Sequence, residues 1–242
     1  MHPRTAHILE TVIREFIGTG IPVSSKQIYD RYNFDVKSAT IRNELNSLTS
    51  DGYLEQIHIS SGRVPTDKGY RFLVDRLIRE KDEQVKRKNP TTQEANHMSK
   101  EIAHGELGEA IEYLANRLHA LSLGINMIEQ SLYKSSLTAL LNTLGSVAHE
   151  TSFEDLCEIV EDFENLEEKM SSLVNVIEGN TPTVFIGKSP IMRSRHLSVI
   201  AERVGWGDRE FIVAVIGPKR MDYEKNINLF LKLKKDFESL NE

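Results

Sequence analysis

Apolar positions in the first fifty residues recur at helical spacing. Ile8, Leu9, Val12, Ile13, Phe16 and Ile17 fill one face of a helix over residues 5–19, because residues three and four apart fall on one side of a helical turn. Gly18 and Gly20 stop it, with Pro22 just beyond. "PVSSKQIYDRYN" starts a second helix, with Ser24 or Ser25 as its cap and Ile28 and Tyr32 facing inward. After a short turn, "NFDV", Ser38 caps a third helix running to about Thr49, in which Ile41, Leu45 and Leu48 form the buried stripe.

The opposite face of this third helix is small and polar. It carries Ala39, Asn43, Asn46 and Ser47, flanked by Thr40 and Arg42, and the charges near its rim are Arg42 and Glu44. Solvated helices usually carry Lys/Glu pairs instead. A face of Thr, Asn, Ser and Arg can approach a nucleic-acid groove and offer donors and acceptors to base edges. Next come "YLEQIHI", alternating enough for a strand, a tight turn in "SSGR", and "VPT". Thr66 then caps a helix in "DKGYRFLVDRLIRE" whose Tyr70, Leu73, Val74 and Leu77 point inward. Three helices, a two-stranded hairpin and a further helix make a winged helix-turn-helix over residues 1–80. The candidate DNA-binding residues are Ser38, Thr40, Arg42, Asn43 and Asn46 on the third helix, Arg63 at the wing tip near phosphates or a minor groove, and Lys68 and Arg71 toward the backbone. The plainer alternative for each is a residue that only solvates a surface. His58, in the wing strand, is a surface residue on this reading.

Residues 81–98 fall in a charged and then polar stretch with almost no apolar positions, and read as a linker. Residues 99–242 form a second domain. Leu107, Ile111, Leu114, Leu118, Leu121, Ile125, Ile128 and Leu132 are spaced alternately four and three apart, a heptad stripe. It is either one long seam or, with Gly124 interrupting and Ser122 capping, two helices packed in a bundle. Residues 153–177 form another helical region, with Leu156, Val160, Phe163, Leu166, Met170, Leu173 and Ile177 inward and Gly179-Asn180 as its end. Three strands follow, "TVFIG", "HLSVIAERV" and "REFIVAVIG", the last two joined by a turn at residues 205–208. Gly217-Pro218-Lys219-Arg220 reads as a strand-to-helix turn with Asp222 as cap, rather than an anion-binding loop. "YEKNINLFLKLKKDFESL" closes the chain as a helix. The fold class is α+β, a winged helix-turn-helix followed by a helical dimerisation region and a small antiparallel sheet.

The net charge of −6 changes this picture less than it suggests. Through Glu80 there are 11 Lys+Arg against 10 Asp+Glu, and beyond it 19 against 26, so the acidity belongs to the second half. Phosphate attraction is a local field effect and needs only a locally basic face. The single cysteine, Cys157, rules out a disulfide framework and fits a cytoplasmic location; it packs on this reading as a small apolar residue. No window approaches the ~18 unbroken apolar residues of a membrane helix. HExxH, CxxC, GxSxG and P-loop patterns are missing, and the eight histidines have no metal-ligand spacing. Catalysis, metals and cofactors therefore find no support.

The segments "SATIRNEL", "GYLEQ", "SGRVPTDKGYR" and, far downstream, "VIGPKRMDY" closely resemble the heat-inducible transcription repressor HrcA family. The resemblance implies a homodimeric repressor on double-stranded DNA, bound to an inverted-repeat operator upstream of chaperone genes and supported by a GroEL-type chaperonin. It implies a GAF-like second half with a dimerisation region. This chain is shorter than the resemblance leads one to expect, so the sheet is expected to be reduced to the three C-terminal strands. The rival readings are a winged-helix module for protein interaction, and an enzyme built on the C-terminal sheet.

Overall fold

The computed structural model describes residues 1–58, 61–85, 107–145, 152–177, 181–206 and 209–240, which divide into two compact units, Met1–Arg76 and Leu77–Glu242. Part of the linker, the turn at Gly207-Asp208 and the helix end at Gly179-Asn180 lie outside these residues.

In the first unit, α1 (Pro3–Thr19) buries Ile8, Leu9, Val12, Ile13 and Phe16, with Ile17 half-buried. Gly20 ends it in the left-handed region, φ 67°, its N–H donating to the Phe16 carbonyl. The second helix, α2 (Ser25–Arg31), starts in a capping box: Ser24 Oγ accepts from the Gln27 amide, and Gln27 Oε1 accepts from the Ser24 amide. Ile28 is buried, but Tyr32 is not. This helix has only seven residues, so Tyr32 lies beyond its end, exposed, with its hydroxyl donating to Glu15 at 2.8 Å. The third, α3 (Ser38–Ser50), buries Ile41, Leu45 and Leu48. Its N-cap is Lys37, without a side-chain cap bond; Ser38 is the first helical residue rather than the cap. A two-stranded antiparallel hairpin follows, β1 (Leu54–Glu55) with β2 (Val64–Pro65), in the register Leu54↔Pro65 and Glu55↔Val64. The strand expected through "YLEQIHI" shortens to two residues, and His58 is an exposed bend residue. Thr66 Oγ1 accepts from the Gly69 amide and caps α4 (Asp67–Val85), a helix that begins in the first unit and continues past Arg76 into the second; its Tyr70, Leu73, Val74 and Leu77 are buried. Residues 81–85, expected to begin the linker, thus continue this helix.

The second unit corrects the heptad stripe. Its first seven-residue repeat is a helix, α5 (Leu107–Leu118), which His119 ends at φ 52°. Leu121 and Ile125 then lie in a strand, β3 (Leu121–Asn126), which pairs with β4 (Ser131–Lys134) in a hairpin. Ile128 sits in the turn and is 62% exposed. There is no long seam and no second helix here; Ser122 is a buried strand residue and not a cap. The reason is arithmetic. A four-residue interval keeps a side chain on one face of a helix and equally on one face of a strand, so Leu121 and Ile125 satisfied both patterns, and the decisive residue was Leu123 between them.

With β5 (Thr183–Ile186), β6 (Leu197–Trp206) and β7 (Arg209–Pro218) these strands form one antiparallel sheet in the order β4-β3-β7-β6-β5. The sheet therefore has five strands, not the three expected. Leu121, Leu123 and Ile125 pack with Val199, Ala201, Ile212, Ala214 and Ile216 on one face. That face is covered by α6 (Thr138–Gly145), a helix the apolar pattern did not reveal, and by α7 (Phe153–Glu164) and α8 (Leu166–Val174). The single helix expected over residues 153–177 is these two, broken at Asn165. Val160 and Cys157 are exposed, because Ile159 and Asp162 supply the inward face of α7 instead. The other face of the sheet carries α5 and the last helix, α9 (Tyr223–Leu240), whose Tyr223 hydroxyl bonds Ser198 Oγ at 2.8 Å. Asp222 caps α9 by accepting from the Lys225 amide at 3.0 Å. Covered on both faces, every residue of β3 is buried.

Gly124 makes this packing possible. A methyl there would lie 2.7 Å and 2.9 Å from two side-chain atoms of Ile111 and 3.0 Å from Leu107. Gly124→Ala should destabilise the second unit by about 1–2 kcal/mol, within the range for overpacking. Ile111→Val in the same chain should recover part of the loss. A double variant no more stable than Gly124→Ala would show that the helix approach is not what Gly124 serves. Urea unfolding followed through Trp206, the chain's single tryptophan, measures both.

Candidate nucleic-acid interface

The interface is built on α3. Its inward stripe anchors the helix in the first unit, which leaves Thr40, Arg42, Asn43, Asn46 and Ser47 along the other side, Thr40 half-buried and the rest exposed. Arg42 and Asn43 make no side-chain hydrogen bond or ion pair among the described residues. Ser38 is half-buried in the first turn, which holds no acidic residue. Lys37 precedes it, exposed. A helix N-terminus already carries partial positive charge, so this end of α3 is electropositive.

Glu44, expected near the rim, does not oppose that field. Its carboxylate accepts from Thr5 Oγ1 at 2.7 Å and from Arg4 Nη2 at 2.9 Å and Nε at 3.2 Å. The Thr5 hydroxyl does most to hold its carboxyl below the usual glutamate range; partial burial works the other way, and Arg4 adds to the lowering. The ion pair also ties α3 to the start of α1, a contact the helical pattern did not reveal.

Arg63 is not at the wing tip. Its backbone bridges Val23, with Arg63 N–H donating to the Val23 carbonyl at 2.8 Å and Val23 N–H donating to the Arg63 carbonyl at 2.9 Å. This places it at the wing's base. Its guanidinium turns onto α3: Nη2 donates to Asn46 Oδ1 at 2.7 Å and Nε to Thr49 Oγ1 at 3.2 Å. The tight turn that was expected to expose Arg63 is offset by Gly62, which passes against the backbone of Pro22 and Val23. Thr49 was missed as a partner; its place three residues after Asn46 on one helix face was the available signal.

Lys68 and Arg71 lie on α4. Lys68 is exposed, its ammonium donating to the Asp51 carbonyl at 2.7 Å and lying 4.2 Å from the centre of the Tyr53 ring. Arg71 is half-buried and has an interaction partner within the chain. The structure thus gathers Thr40, Arg42, Asn43, Asn46 and Arg63 along α3, and ties Lys68 to the turn that follows it.

Among the described residues no helix is long and apolar enough to cross a membrane, and no group of three or more His, Cys, Asp or Glu side chains could hold a metal ion.

Fold and site define an α+β chain whose small helical unit presents a polar helix beside a hairpin, joined to a five-stranded antiparallel sheet with helices on both faces. The model of the HrcA protein C terminal domain matches residues 48–227, most of the chain, which therefore belongs to the HrcA family. The heat-inducible transcription repressor HrcA of Clostridium acetobutylicum is 51% identical over 78 residues, 32% of this chain and 23% of that protein. Its namesake in Clostridium botulinum strain Eklund 17B is 55% identical over 75 residues, 31% of this chain and 22% of that protein. The match thus spans under a quarter of the length of these curated relatives. Among solved structures, a protein described as hypothetical, at 2.2 Å resolution, is similar with a TM-score of 0.71 and 17% identity, covering 100% of this chain and 97% of that one. At that identity the likeness speaks for the fold alone.

Proposed function

We propose that this chain is a sequence-specific DNA-binding transcriptional repressor of heat-shock chaperone genes that binds an inverted-repeat operator as a dimer. Family membership and relatives named as heat-inducible transcription repressors support the regulatory role. The observation that carries DNA binding is the outward face of α3, with Arg42 and Asn43 exposed and unengaged by described neighbours and the carboxylate of Glu44 turned away onto α1. On this reading residues 1–80 are a winged helix-turn-helix whose third helix enters the major groove. Ser38, Thr40, Arg42, Asn43 and Asn46 meet bases or adjacent phosphates, and Lys68 and Arg71 face the backbone. The second unit serves as a GAF-like dimerisation and regulatory domain with five strands, acting in the cytoplasm, and support by a GroEL-type chaperonin belongs to the same proposal. Repression is occlusion of transcription initiation by the bound dimer.

Arg42→Ala and Asn43→Ala should each lower operator affinity by about 1–3 kcal/mol, the discrimination carried by a good base contact. Binding to scrambled DNA at matched salt should fall much less. A gel-shift titration on both duplexes measures the difference. Equal losses on the two would remove base readout from these residues. No preference of the wild-type chain for the inverted repeat would favour the protein-interaction module instead.

A further inference from the structure

We infer that Arg63 is a positioning residue that sets which base edge Asn46 can read, rather than a phosphate contact of the wing. The inference rests on the DNA-binding reading above and assigns one determinant of its specificity. It begins with donor inventory. An arginine side chain carries only donors, so the Asn46 atom facing Nη2 at 2.7 Å must be the carbonyl oxygen. The amide NH2 of Asn46 is thereby turned away from Arg63.

The guanidinium itself has little freedom. Nε donates to Thr49 Oγ1 at 3.2 Å, and that hydroxyl donates in turn to the Leu45 carbonyl at 2.8 Å, so the chain of hydrogen bonds ends in the backbone of α3. At its other end Arg63 is held by the pair of backbone bonds to Val23. A side chain fixed at both ends gives Asn46 one orientation before any ligand arrives. Such preorganisation lowers the ordering cost of recognition.

The consequence is chemical. A free asparagine reads adenine with both amide atoms, accepting from N6 and donating to N7. With its carbonyl held by a cation, Asn46 presents its donor. Its best complement is an edge whose polar atoms all accept, guanine O6 and N7 or thymine O4. Adenine offers this donor N7 alone, and its N6 amino group is left without the carbonyl that the two-bond pair needs. Removing Arg63 frees the carbonyl and restores the adenine option. Arg63→Lys does not rescue, because an ammonium is a point donor without the planar fork that spans Asn46 and Thr49 together.

The test uses the full chain and a pool of inverted-repeat duplexes randomised in each half-site. For wild type, the position that loses its preference in Asn46→Ala should favour guanine or thymine over adenine. In Arg63→Ala that preference should weaken by about tenfold, the order carried by one base contact. The double variant should bind no worse than Asn46→Ala alone, since Arg63 acts through that residue. The slope of log affinity against log salt should stay unchanged in Arg63→Ala, whereas a lost phosphate contact reduces it by roughly 0.9. Additive losses, or a reduced salt slope with base preference intact, would overturn the positioning role and return Arg63 to the phosphates. Should the wild-type chain select no duplex from the pool, the DNA-binding reading itself falls, and this inference with it.

Discussion

Asp162→Ala is expected to destabilise the second unit by about 2–3 kcal/mol, the range of a hydrogen-bonded charged group. The Asp162 side chain is 0% exposed. Its carboxylate accepts from the Arg193 amide at 2.6 Å, from Arg193 Nε at 2.8 Å and from the Lys169 ammonium. The three bonds join α7, α8 and the loop before β6. Loss of a partner from a fully buried pair costs ~3–5 kcal/mol, but here Lys169 and Arg193 both reach water and can be resolvated, which sets the lower figure. Asp162→Asn should be no milder, because its NH2 would face donors.

Acid should expose the same group. Burial alone would raise the Asp162 carboxyl, but the Arg193 amide, Lys169 and the Arg193 guanidinium outweigh it and hold the carboxyl below the usual aspartate range. The unfolded chain, with a value of about 3.9, then binds the proton more readily than the folded one. The stabilisation is complete above that value and is lost as pH falls through the lower folded one. In Asp162→Asn this part of the acid dependence should vanish. Urea titrations between neutral pH and pH 3, read through Trp206 in β6, give both quantities. Equal stability of variant and wild type at neutral pH would mean that the network contributes nothing net.

Gly62→Ala is the second large effect, and it falls on the first unit. The added methyl would lie 2.5 Å from both the carbonyl carbon and oxygen of Pro22 and 2.6 Å from the Val23 carbonyl carbon. These are backbone atoms, so no side-chain rotation relieves the clash. The wing base must move off Val23 and open the two bonds of the Val23–Arg63 bridge. A loss of about 3 kcal/mol follows, the upper end for overpacking, and operator binding should fall with it. Hydrogen exchange at the Val23 and Arg63 amides reports the bridge directly, while Trp206 fluorescence should leave the second unit unchanged. Retained protection of both amides at wild-type stability would contradict the close approach.

The helices of the first unit were legible because each buries one face and exposes the other. Ile8 to Phe16 on α1, Ile41, Leu45 and Leu48 on α3, and Tyr70 to Leu77 on α4 all occupy the positions their spacing assigns. Partial burial keeps the period visible. The middle of the second unit was not legible, because β3 is only six residues long and its alternation, Leu121, Leu123 and Ile125 against Ser122, Gly124 and Asn126, was overridden by the longer four-and-three spacing that starts in α5. Leu121 and Ile125 then matched a helical interval as well as a strand.

The sequence by itself determined the order of elements in residues 1–80, the polar face of α3 with its Arg42 and Asn43, the three C-terminal strands and the capped last helix, since each depends on neighbours in the chain. Only the tertiary structure decided that Gly124 lets α5 close on the sheet, that Glu44 belongs to Arg4 and Thr5 on α1, and that Arg63 turns from the wing onto Asn46 and Thr49. Those contacts join residues 13 to 40 positions apart in the chain. Local periodicity carries no information about such partners; packing and the need of each buried donor and acceptor for a match select them.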